Sequence, residues 1–218
     1  MILLKRIGEL LFPPKCVLCR KLLEKEELDL CRHCRTHVAE CGTSRRKIPY
    51  LDSRTVVWYY ENDVRGSLIR YKFHRARHYA QSYGRLLAMR LLREGRHEVD
   101  LVTWVPVSKR RKFSRGYDQV ELLGRALCKE LDLPFVPCLK KIRHNATQST
   151  IKGEAQRRAN VMGVYRSVNG SQFAGKRILL LDDIITTGAT ISECAKILKL
   201  AGAKEVHGAA IAATRQNN

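Results

Sequence analysis

The sequence predicts an α/β fold with a mostly parallel, doubly wound sheet, preceded by a small segment that contains paired cysteines. From residue 52 onward, short apolar runs typical of strands alternate with segments whose apolar residues recur at helical spacing. This alternation is typical of parallel sheets covered by helices on both faces. Two CxxC pairs lie before residue 50, ahead of any strand pattern. We therefore predict two domains, residues 1–50 and residues 51–218.

The first predicted element is an amphipathic helix over residues 1–12. Its apolar face consists of Leu3, Leu4, Ile7, Leu10 and Leu11. Charged residues interrupt the segment, no cleavage site of small residues follows it, and the sequence has no run of eighteen apolar residues. We therefore expect no secretion signal, no transmembrane segment and a cytoplasmic protein.

Four cysteines after this helix predict a metal site. They form two CxxC pairs separated by eleven residues, namely Cys16, Cys19, Cys31 and Cys34. Each pair can present two thiolates to one ion, and four thiolates complete the tetrahedral site that suits structural Zn²⁺. Three nearby residues are alternatives for the fourth ligand, which stays open: His33, His37 and Cys41. Three further cysteines lie in apolar surroundings and are expected to be buried and unreactive, Cys128, Cys138 and Cys194.

The middle of the chain predicts two strands and three helices. The strands cover residues 55–60 and 101–105, and the helices cover residues 68–73, 79–92 and 120–131. A basic segment, residues 107–119, follows the second strand, and we predict that it is a loop. Because ligands of open α/β sheets bind beyond the carboxyl ends of the strands, cations there can meet a diphosphate. Lys109 and Arg110 are the candidates, with Arg115 as a third. The alternative is a solvated basic loop.

The segment from Ile178 to Thr190 predicts a cradle for a sugar phosphate. A buried strand over residues 178–181 is followed directly by Asp182 and Asp183, which can accept hydrogen bonds from the vicinal hydroxyls of a ribose. The next turn contains small residues that let backbone N–H groups approach an anion, Thr186, Thr187, Gly188, Ala189 and Thr190. A helix follows, with Gly202 at its C-terminal cap, so its positive end faces the turn.

A nucleotide-binding P-loop is the alternative interpretation of this region. Residues 179–183 resemble a Walker B strand, and residues 170–176 match most of a P-loop pattern. However, a P-loop follows a strand, precedes a helix and has Ser or Thr next to its Lys, whereas here Arg177 follows Lys176 and leads into a strand. Residues 169–177 are therefore predicted to be a polar loop.

The charge of the chain favours a polyanionic partner. The formal net charge is +20 and the pI is about 10.0. No Asp or Glu occurs between Val64 and Arg93, and Tyr71, Phe73, Tyr79 and Tyr83 are interleaved with the basic residues there. Two further basic runs cover residues 109–115 and 140–166. Basic residues and rings together suit single-stranded nucleic acid. Alternatively, the rings belong to the core, and the charge serves solubility or a phosphate-rich small substrate.

Residues 178–190 resemble the 5-phosphoribosyl 1-diphosphate (PRPP) signature of type I phosphoribosyltransferases. The resemblance implies the type I phosphoribosyltransferase fold and binding of PRPP with Mg²⁺. It also implies that Asp182 and Asp183 hold the ribose hydroxyls and that residues 186–190 bind the 5′-phosphate. In that family the loop at the position of residues 107–119 holds the pyrophosphate.

The whole chain resembles the ComF-type competence proteins, which join a four-cysteine zinc ribbon to a phosphoribosyltransferase-like domain. The family's VP…RGFNQ region corresponds to Val105-Pro106 and residues 115–119, with Tyr117 and Asp118 in place of Phe and Asn. A second family motif is echoed by Gln148, Arg157 and Asn160, although Asn145 stands where Thr is usual. The resemblance implies a role in the uptake of transforming DNA together with a helicase-like partner.

Three functional hypotheses follow from the sequence. The first is a PRPP-binding protein that serves DNA uptake and contacts single-stranded DNA. The second is an active phosphoribosyltransferase that transfers ribose 5-phosphate to an unidentified acceptor. The third is a zinc-dependent DNA-binding module whose transferase-like domain is inert. The sequence leaves open the acceptor and whether residues 140–160 form a catalytic lid.

Overall fold

The helices and strands of a computed structural model follow the predicted alternation. The structure describes residues 13–42, 47–143, 156 and 159–215. The helices are α1 (Arg32–His37), α2 (Asn62–Phe73), α3 (Tyr79–Arg93), α4 (Lys109–Arg115), α5 (Gln119–Leu131), α6 (Gly170–Phe173) and α7 (Ala189–Leu200). The strands are β1 (Ser53–Tyr59), β2 (Leu101–Trp104), β3 (Leu139–Lys141), β4 (Tyr165–Ser167), β5 (Arg177–Ile185) and β6 (Glu205–Ala213).

A parallel sheet with the strand order β1-β6-β5-β2 forms the centre of the molecule. The strand β2 pairs with β5 only from Leu101 opposite Ile178 to Trp104 opposite Leu181. Beyond Leu181, β5 continues along β6 as far as Ile185 opposite Ala213. Among the described residues, the last four of β5 therefore pair with a strand on one side only.

Helices cover both faces of this sheet, so the predicted doubly wound α/β fold is confirmed. Alternate residues of β5 enter the two halves of the core: Leu179 and Leu181 pack with α2, α3 and α5, whereas Ile178 and Leu180 pack with α7. The short strands β3 and β4 form a separate antiparallel pair. Because all four residues from Ile178 to Leu181 are fully buried, the apolar run has the character expected of a central parallel strand.

Four predicted segments differ from the structure. The strand predicted over residues 178–181 is longer, because β5 continues through Asp182 and Asp183 to Ile185. The helix α2 begins at Asn62, six residues before the predicted start, because Val64 is buried on the same face as Leu68 and Tyr71. The predicted basic loop is wrong over residues 109–115, which form α4. This helix buries no residue, and hence has no apolar periodicity in the sequence. In the predicted polar loop 169–177, one helical turn, α6, buries Phe173.

The cysteine segment packs directly on the helices of the α/β domain. Val17 and Leu18, between the first two cysteines, are buried in the same core as α2 and α3. The Ser67 hydroxyl on α2 donates a 2.5 Å hydrogen bond to the Val17 carbonyl, and Arg70 donates to the Leu18 carbonyl. Arg85 on α3 makes two hydrogen bonds to the buried carboxylate of Asp29, 2.8 and 2.5 Å long. The cysteine segment is therefore fastened to α2 and α3 by backbone and ionic contacts.

Several predictions concern residues that the structure does not describe. They are the helix over residues 1–12, the family positions Gln148, Arg157 and Asn145, and most of the lid segment 140–160. Among the described residues, no helix is both long and apolar enough to cross a membrane. Burial of Cys128, Cys138 and Cys194 is confirmed. The boundary between two domains near residue 50 stays a prediction.

Loss of the Asp29–Arg85 ion pair is expected to destabilise the protein. In Asp29→Ala the Arg85 guanidinium loses its buried partner, which is 5 % exposed, while Arg85 itself is 29 % exposed. Because Arg85 retains access to water, we expect a loss of about 2 kcal/mol in unfolding free energy, below the value for a fully buried pair. Thermal unfolding followed by circular dichroism measures the change. Lys112→Ala, which removes an exposed ion pair to Glu121, is the control and should change the stability little. An equal effect of both substitutions would contradict this account.

Candidate functional site

The four predicted metal ligands lie together in the structure. The Sγ atoms of Cys16, Cys19, Cys31 and Cys34 all lie within 4.8 Å of one another. Those of Cys19 and Cys31 are 3.6 Å apart, close to the roughly 3.8 Å between thiolates around a tetrahedral zinc ion with bonds of about 2.3 Å. Three of the four side chains are buried. The thiol geometry therefore fits a closed structural metal site.

The alternative fourth ligands do not belong to this cluster. His33 and His37 are exposed on α1 and stack on each other with ring centroids 4.4 Å apart. Cys41 is buried at a different place, beside Arg54 and Arg90. Because four sulfurs already complete a tetrahedron, none of these three residues is needed for the metal.

A second site lies where the carboxyl ends of β2 and β5 meet the helices. It is a cavity of about 260 Å³. Residues from separate parts of the chain line it. They are Lys72 and Phe73 from α2, the segment 105–107 after β2, Arg111 and Arg115 from α4, Gln119 from α5, Lys141 and Tyr165 from β3 and β4, and residues 182–186 and 188–191. The cavity lies beside the carboxyl end of β5, as expected for ligands of open α/β sheets.

Asp182 and Asp183 lie on the wall of this cavity, as the sequence predicts. Both oxygens of the buried Asp183 carboxylate have partners. The Lys72 ammonium forms an ion pair with Oδ1 at 2.9 Å, and the Gln119 amide donates a 2.8 Å hydrogen bond to Oδ2. The Asp183 backbone amide donates a 2.8 Å bond to Asp182 Oδ1. The Gln119 Oε1 atom is buried and has no hydrogen-bond partner within the described ranges. The Asp183 carboxylate is thus held by two side chains, next to a buried amide oxygen.

The surroundings of Asp182 raise the pKa of its carboxyl group. Burial, followed by the neighbouring charge of Asp183, raises the pKa of the Asp182 carboxyl to about 8. Lys72 and the Asp183 amide lower it in part. At neutral pH, without a ligand, Asp182 therefore retains its proton more readily than an ordinary aspartate.

The predicted phosphate loop connects β5 to the start of α7. Thr186, Gly188, Ala189 and Thr190 line the cavity, whereas Thr187 lines a neighbouring depression and accepts a hydrogen bond from the Ala189 amide. Because the first amides of a helix have no partner within the helix, the first turn of α7 presents N–H donors and a positive dipole end to this loop. The arrangement suits a phosphate dianion.

Gly188 is required by the backbone of this loop. Its φ angle is 81°, in the left-handed region, and it is the N-cap of α7. A Cβ atom at this position would lie 2.9 Å from the Cδ1 atom of Ile48. Both the backbone conformation and the contact with Ile48 therefore exclude a side chain here.

Four cations from three elements surround the cavity: Lys72 from α2, Arg111 and Arg115 from α4, and Lys141 from β3. The Arg115 guanidinium lies 4.7 Å from the centre of the Phe73 ring, and the Lys141 ammonium lies 5.2 Å from that of Tyr165. Burial, with Arg111 as the next cause, lowers the pKa of Lys141 to about 8. Two carboxylates and four cations leave an excess of positive charge, which suits a ligand with several phosphates.

The predicted diphosphate residues differ in their positions relative to the cavity. Arg115 lines it, but Lys109 and Arg110 are exposed on the first turn of α4 and do not. Their assignment stays a prediction. Lys72, Arg111 and Lys141 belong to the basic runs noted in the sequence, yet no motif distinguishes them from their neighbours. Gln119 is the last residue of the segment that matches the RGFNQ family motif, and this match is the sequence signal for its position.

Both departures from the family motif have structural roles. The Tyr117 hydroxyl is buried and donates to the Tyr71 carbonyl on α2. Asp118 is the N-cap of α5, and its carboxylate accepts hydrogen bonds from the amides of Val120, Glu121 and Val107. The two side chains thus position α2 and the segment after β2 beside the cavity.

Comparisons with known proteins agree with this architecture. Residues 121–218 match the phosphoribosyl transferase domain family. The chain is 28 % identical over 201 residues to competence protein F of Haemophilus influenzae, which covers 88 % of this chain and 86 % of that protein. It is also 28 % identical over 200 residues to the DNA utilization protein YhgH of Escherichia coli K12, with the same coverage.

Among solved structures, the chain resembles the B. subtilis glutamine PRPP amidotransferase complexed with ADP and GMP. The TM-score is 0.44 and the sequence identity is 23 %. The match covers 65 % of this chain and 30 % of the amidotransferase chain, so it spans less than a third of that enzyme.

The raised pKa of Asp182 predicts a pH-dependent effect of Asp182→Asn on stability. Between the ordinary aspartate pKa and about 8, the folded protein retains a proton that the unfolded chain has lost. The stability that comes from this proton is complete at low pH and is lost as the pH rises to about 8. Asparagine does not titrate, so the variant escapes this loss. We expect its melting temperature, relative to the parent, to rise by several degrees between pH 5 and pH 9. A difference that is constant with pH would contradict the assigned shift.

Proposed function

Because this chain is a homologue of the ComF-type competence proteins, we propose that it binds PRPP in the α/β domain and serves the uptake or use of DNA. The proposal combines two sources of support. The competence and DNA utilization proteins are similar to this chain along most of their length. The chemistry of the cavity supports the ligand.

The observation that supports PRPP binding most strongly is that two acids and a phosphate loop line the same cavity. The carboxylates of Asp182 and Asp183 are separated from the loop by only two residues, Ile184 and Ile185, at the end of β5. A ribose placed between them would offer its hydroxyls to the acids and its 5′-phosphate to the first turn of α7. The four surrounding cations then suit the 1-diphosphate.

Magnesium would accompany PRPP in this cavity. Carboxylate and phosphate oxygens are the hard ligands that Mg²⁺ prefers, and Asp182 and Asp183 supply carboxylates beside the proposed ribose. The metal would neutralise charge on the diphosphate. The residues Lys72, Arg111, Arg115 and Lys141 share that task, and Gln119 keeps the Asp183 carboxylate in place.

We assign structural zinc to the cysteine cluster. Four thiolates leave no open coordination position, so such an ion stabilises the fold and takes no part in chemistry. The first pair of cysteines brackets Val17 and Leu18, whose carbonyls accept hydrogen bonds from α2. The metal would therefore set the conformation of the surface on which α2 packs.

In the proposed role the protein acts in the cytoplasm, contacts single-stranded DNA and cooperates with a helicase-like partner. The resemblance to ComF-type proteins implies the location and the partner. The charge of +20 supports contact with a nucleic acid. The basic residues that remain at the surface supply the phosphate contacts.

Isothermal titration with PRPP and Mg²⁺ tests the ligand. We expect that the double variant Asp182→Asn, Asp183→Asn binds PRPP about 100-fold or more weakly than the parent, because both carboxyl groups that would accept hydrogen bonds from the ribose are lost. The matched control is Glu26→Gln, Glu130→Gln, which also removes two negative charges but from exposed positions outside the cavity.

Equal affinity of the acid double variant and the parent would contradict the proposal. The transferase alternative requires a further result. An active enzyme would release pyrophosphate when a nucleobase or another acceptor is added to the PRPP complex. Tight binding of PRPP without pyrophosphate release from any acceptor of a panel would support the binding function.

Metal analysis of the purified chain tests the zinc assignment. We expect one zinc ion per chain in the parent. In Cys34→Ser we expect little zinc and a lower melting temperature, because one of four thiolates is lost. Cys128→Ser is the matched control, since Cys128 is buried on α5 outside the cluster, and it should retain the metal. The same zinc content in both variants would refute the assignment.

A further inference from the structure

The structure divides the first basic run of the sequence, residues 64–93, into residues that make contacts within the protein and residues that are exposed at its surface. Within residues 64–93, six cations contact partners in the protein: Arg70, Lys72, Arg77, Arg85, Arg90 and Arg93. The rings of Tyr71, Tyr79 and Tyr83 are buried. The expectation that these three tyrosines stack on nucleic acid is therefore wrong, and the alternative that they belong to the core is confirmed. Phe73 differs from them, since it is 61 % exposed.

One largely exposed stretch of this run covers residues 73–78, that is, the last residue of α2 and the connection to α3. Apart from Ala76, all of its side chains are exposed: Phe73, His74, Arg75, Arg77 and His78. Two contacts join the connection to α4. The Arg115 guanidinium lies over the Phe73 ring, and Arg77 donates a 3.1 Å hydrogen bond to the Gly116 carbonyl. Residues 73–78 and 109–116 therefore form one continuous surface, here named the mouth surface, because Phe73 and Arg115 also line the cavity.

Helix α4 adds an unusual combination of groups to the mouth surface. Five of its seven residues are cations, none is buried, and Phe113 is 93 % exposed. Neither segment of the surface contains Asp or Glu. A fully hydrated phenylalanine ring among cations contributes no packing to the fold. Its apolar area is available to a ligand that offers both a flat apolar group and negative charge.

We propose that a single strand of nucleic acid lies along the mouth surface. One base would stack on Phe113 and a second on Phe73, and the phosphates would contact the cations of residues 73–78 and 109–116. This inference rests on the proposed contact with single-stranded DNA and gives that contact a location. Unpaired bases have free faces for stacking, whereas a duplex hides them, so the two exposed rings favour a single strand. The strand would cross the entrance to the PRPP cavity, where Arg115 and Phe73 face both ligands.

Fluorescence anisotropy with a labelled twenty-nucleotide oligo-dT tests the location. We expect Phe113→Ala to weaken binding roughly 5- to 100-fold, the range for loss of one base stacked on an aromatic ring, and Phe113→Tyr to restore it. Leu200→Ala is the matched control, because Leu200 is also a large exposed apolar residue, 78 % exposed, at the end of α7 remote from the cavity. This control should bind as the parent does.

A charge variant tests the phosphate contacts separately. Arg75→Gln should weaken binding and reduce by about 1 the slope of log affinity against log salt concentration, as expected for one lost phosphate contact. Lys204→Ala removes a charge from the loop before β6, at the opposite end of the sheet, and should leave the slope unchanged.

The outcomes distinguish this inference from the PRPP proposal. Phe113 does not line the cavity, so Phe113→Ala should bind PRPP with the affinity of the parent. If the parent binds no oligo-dT, or if Phe113→Ala and Arg75→Gln bind it as tightly as the parent, the mouth surface is not the site. Those results would leave PRPP binding untouched. Conversely, loss of oligo-dT binding in Phe113→Ala would support the mouth surface even if titration detected no PRPP binding.

Discussion

The buried carboxylate of Asp183 is the point at which three elements of the structure meet. A charge inside a protein needs partners, and Asp183 receives them from α2 through Lys72 and from α5 through Gln119. Both helices also pack on the face of the sheet to which Leu179 and Leu181 contribute. The position of the acid on β5 thus determines how the ends of two helices approach the carboxyl end of the strand, and so shapes the cavity.

Helix α2 also connects the cavity to the cysteine segment. Ser67 and Arg70 donate hydrogen bonds to the carbonyls of the two residues between Cys16 and Cys19, while Lys72, at the end of the same helix, contacts Asp183. Tyr71 donates a hydrogen bond to the Gln119 carbonyl, which joins α2 to α5. Within the described residues, the metal cluster and the cavity are therefore separated by a single helix, and the cysteine segment is part of the support of the site.

The excess of basic residues serves three different purposes. Some cations compensate buried or partly buried acids, as Arg85 does for Asp29. Others, such as Arg111 and Lys141, face the cavity. The remainder, including Arg75, are at the surface. Counting charge in the sequence supports a polyanionic partner, but it does not separate these groups, because all three kinds are adjacent in the same runs. Only the burial and the contacts of each side chain distinguish them.

The sequence by itself determined the features that are local and contiguous. The CxxC spacing predicts the cysteine cluster, and the strand, acids and glycine turn of residues 178–190 predict one wall of the cavity, because neighbouring residues on one element share an orientation fixed by its geometry. Tertiary structure decided the opposite wall. Lys72, Arg111 and Lys141 come from elements far apart in the chain, and which of the many basic side chains turn inward depends on how α2, α4 and β3 pack against β5. The sequence does not predict which cations face the cavity. Helix α4 buries no residue, so it has no apolar periodicity, and a long flexible side chain can point in several directions.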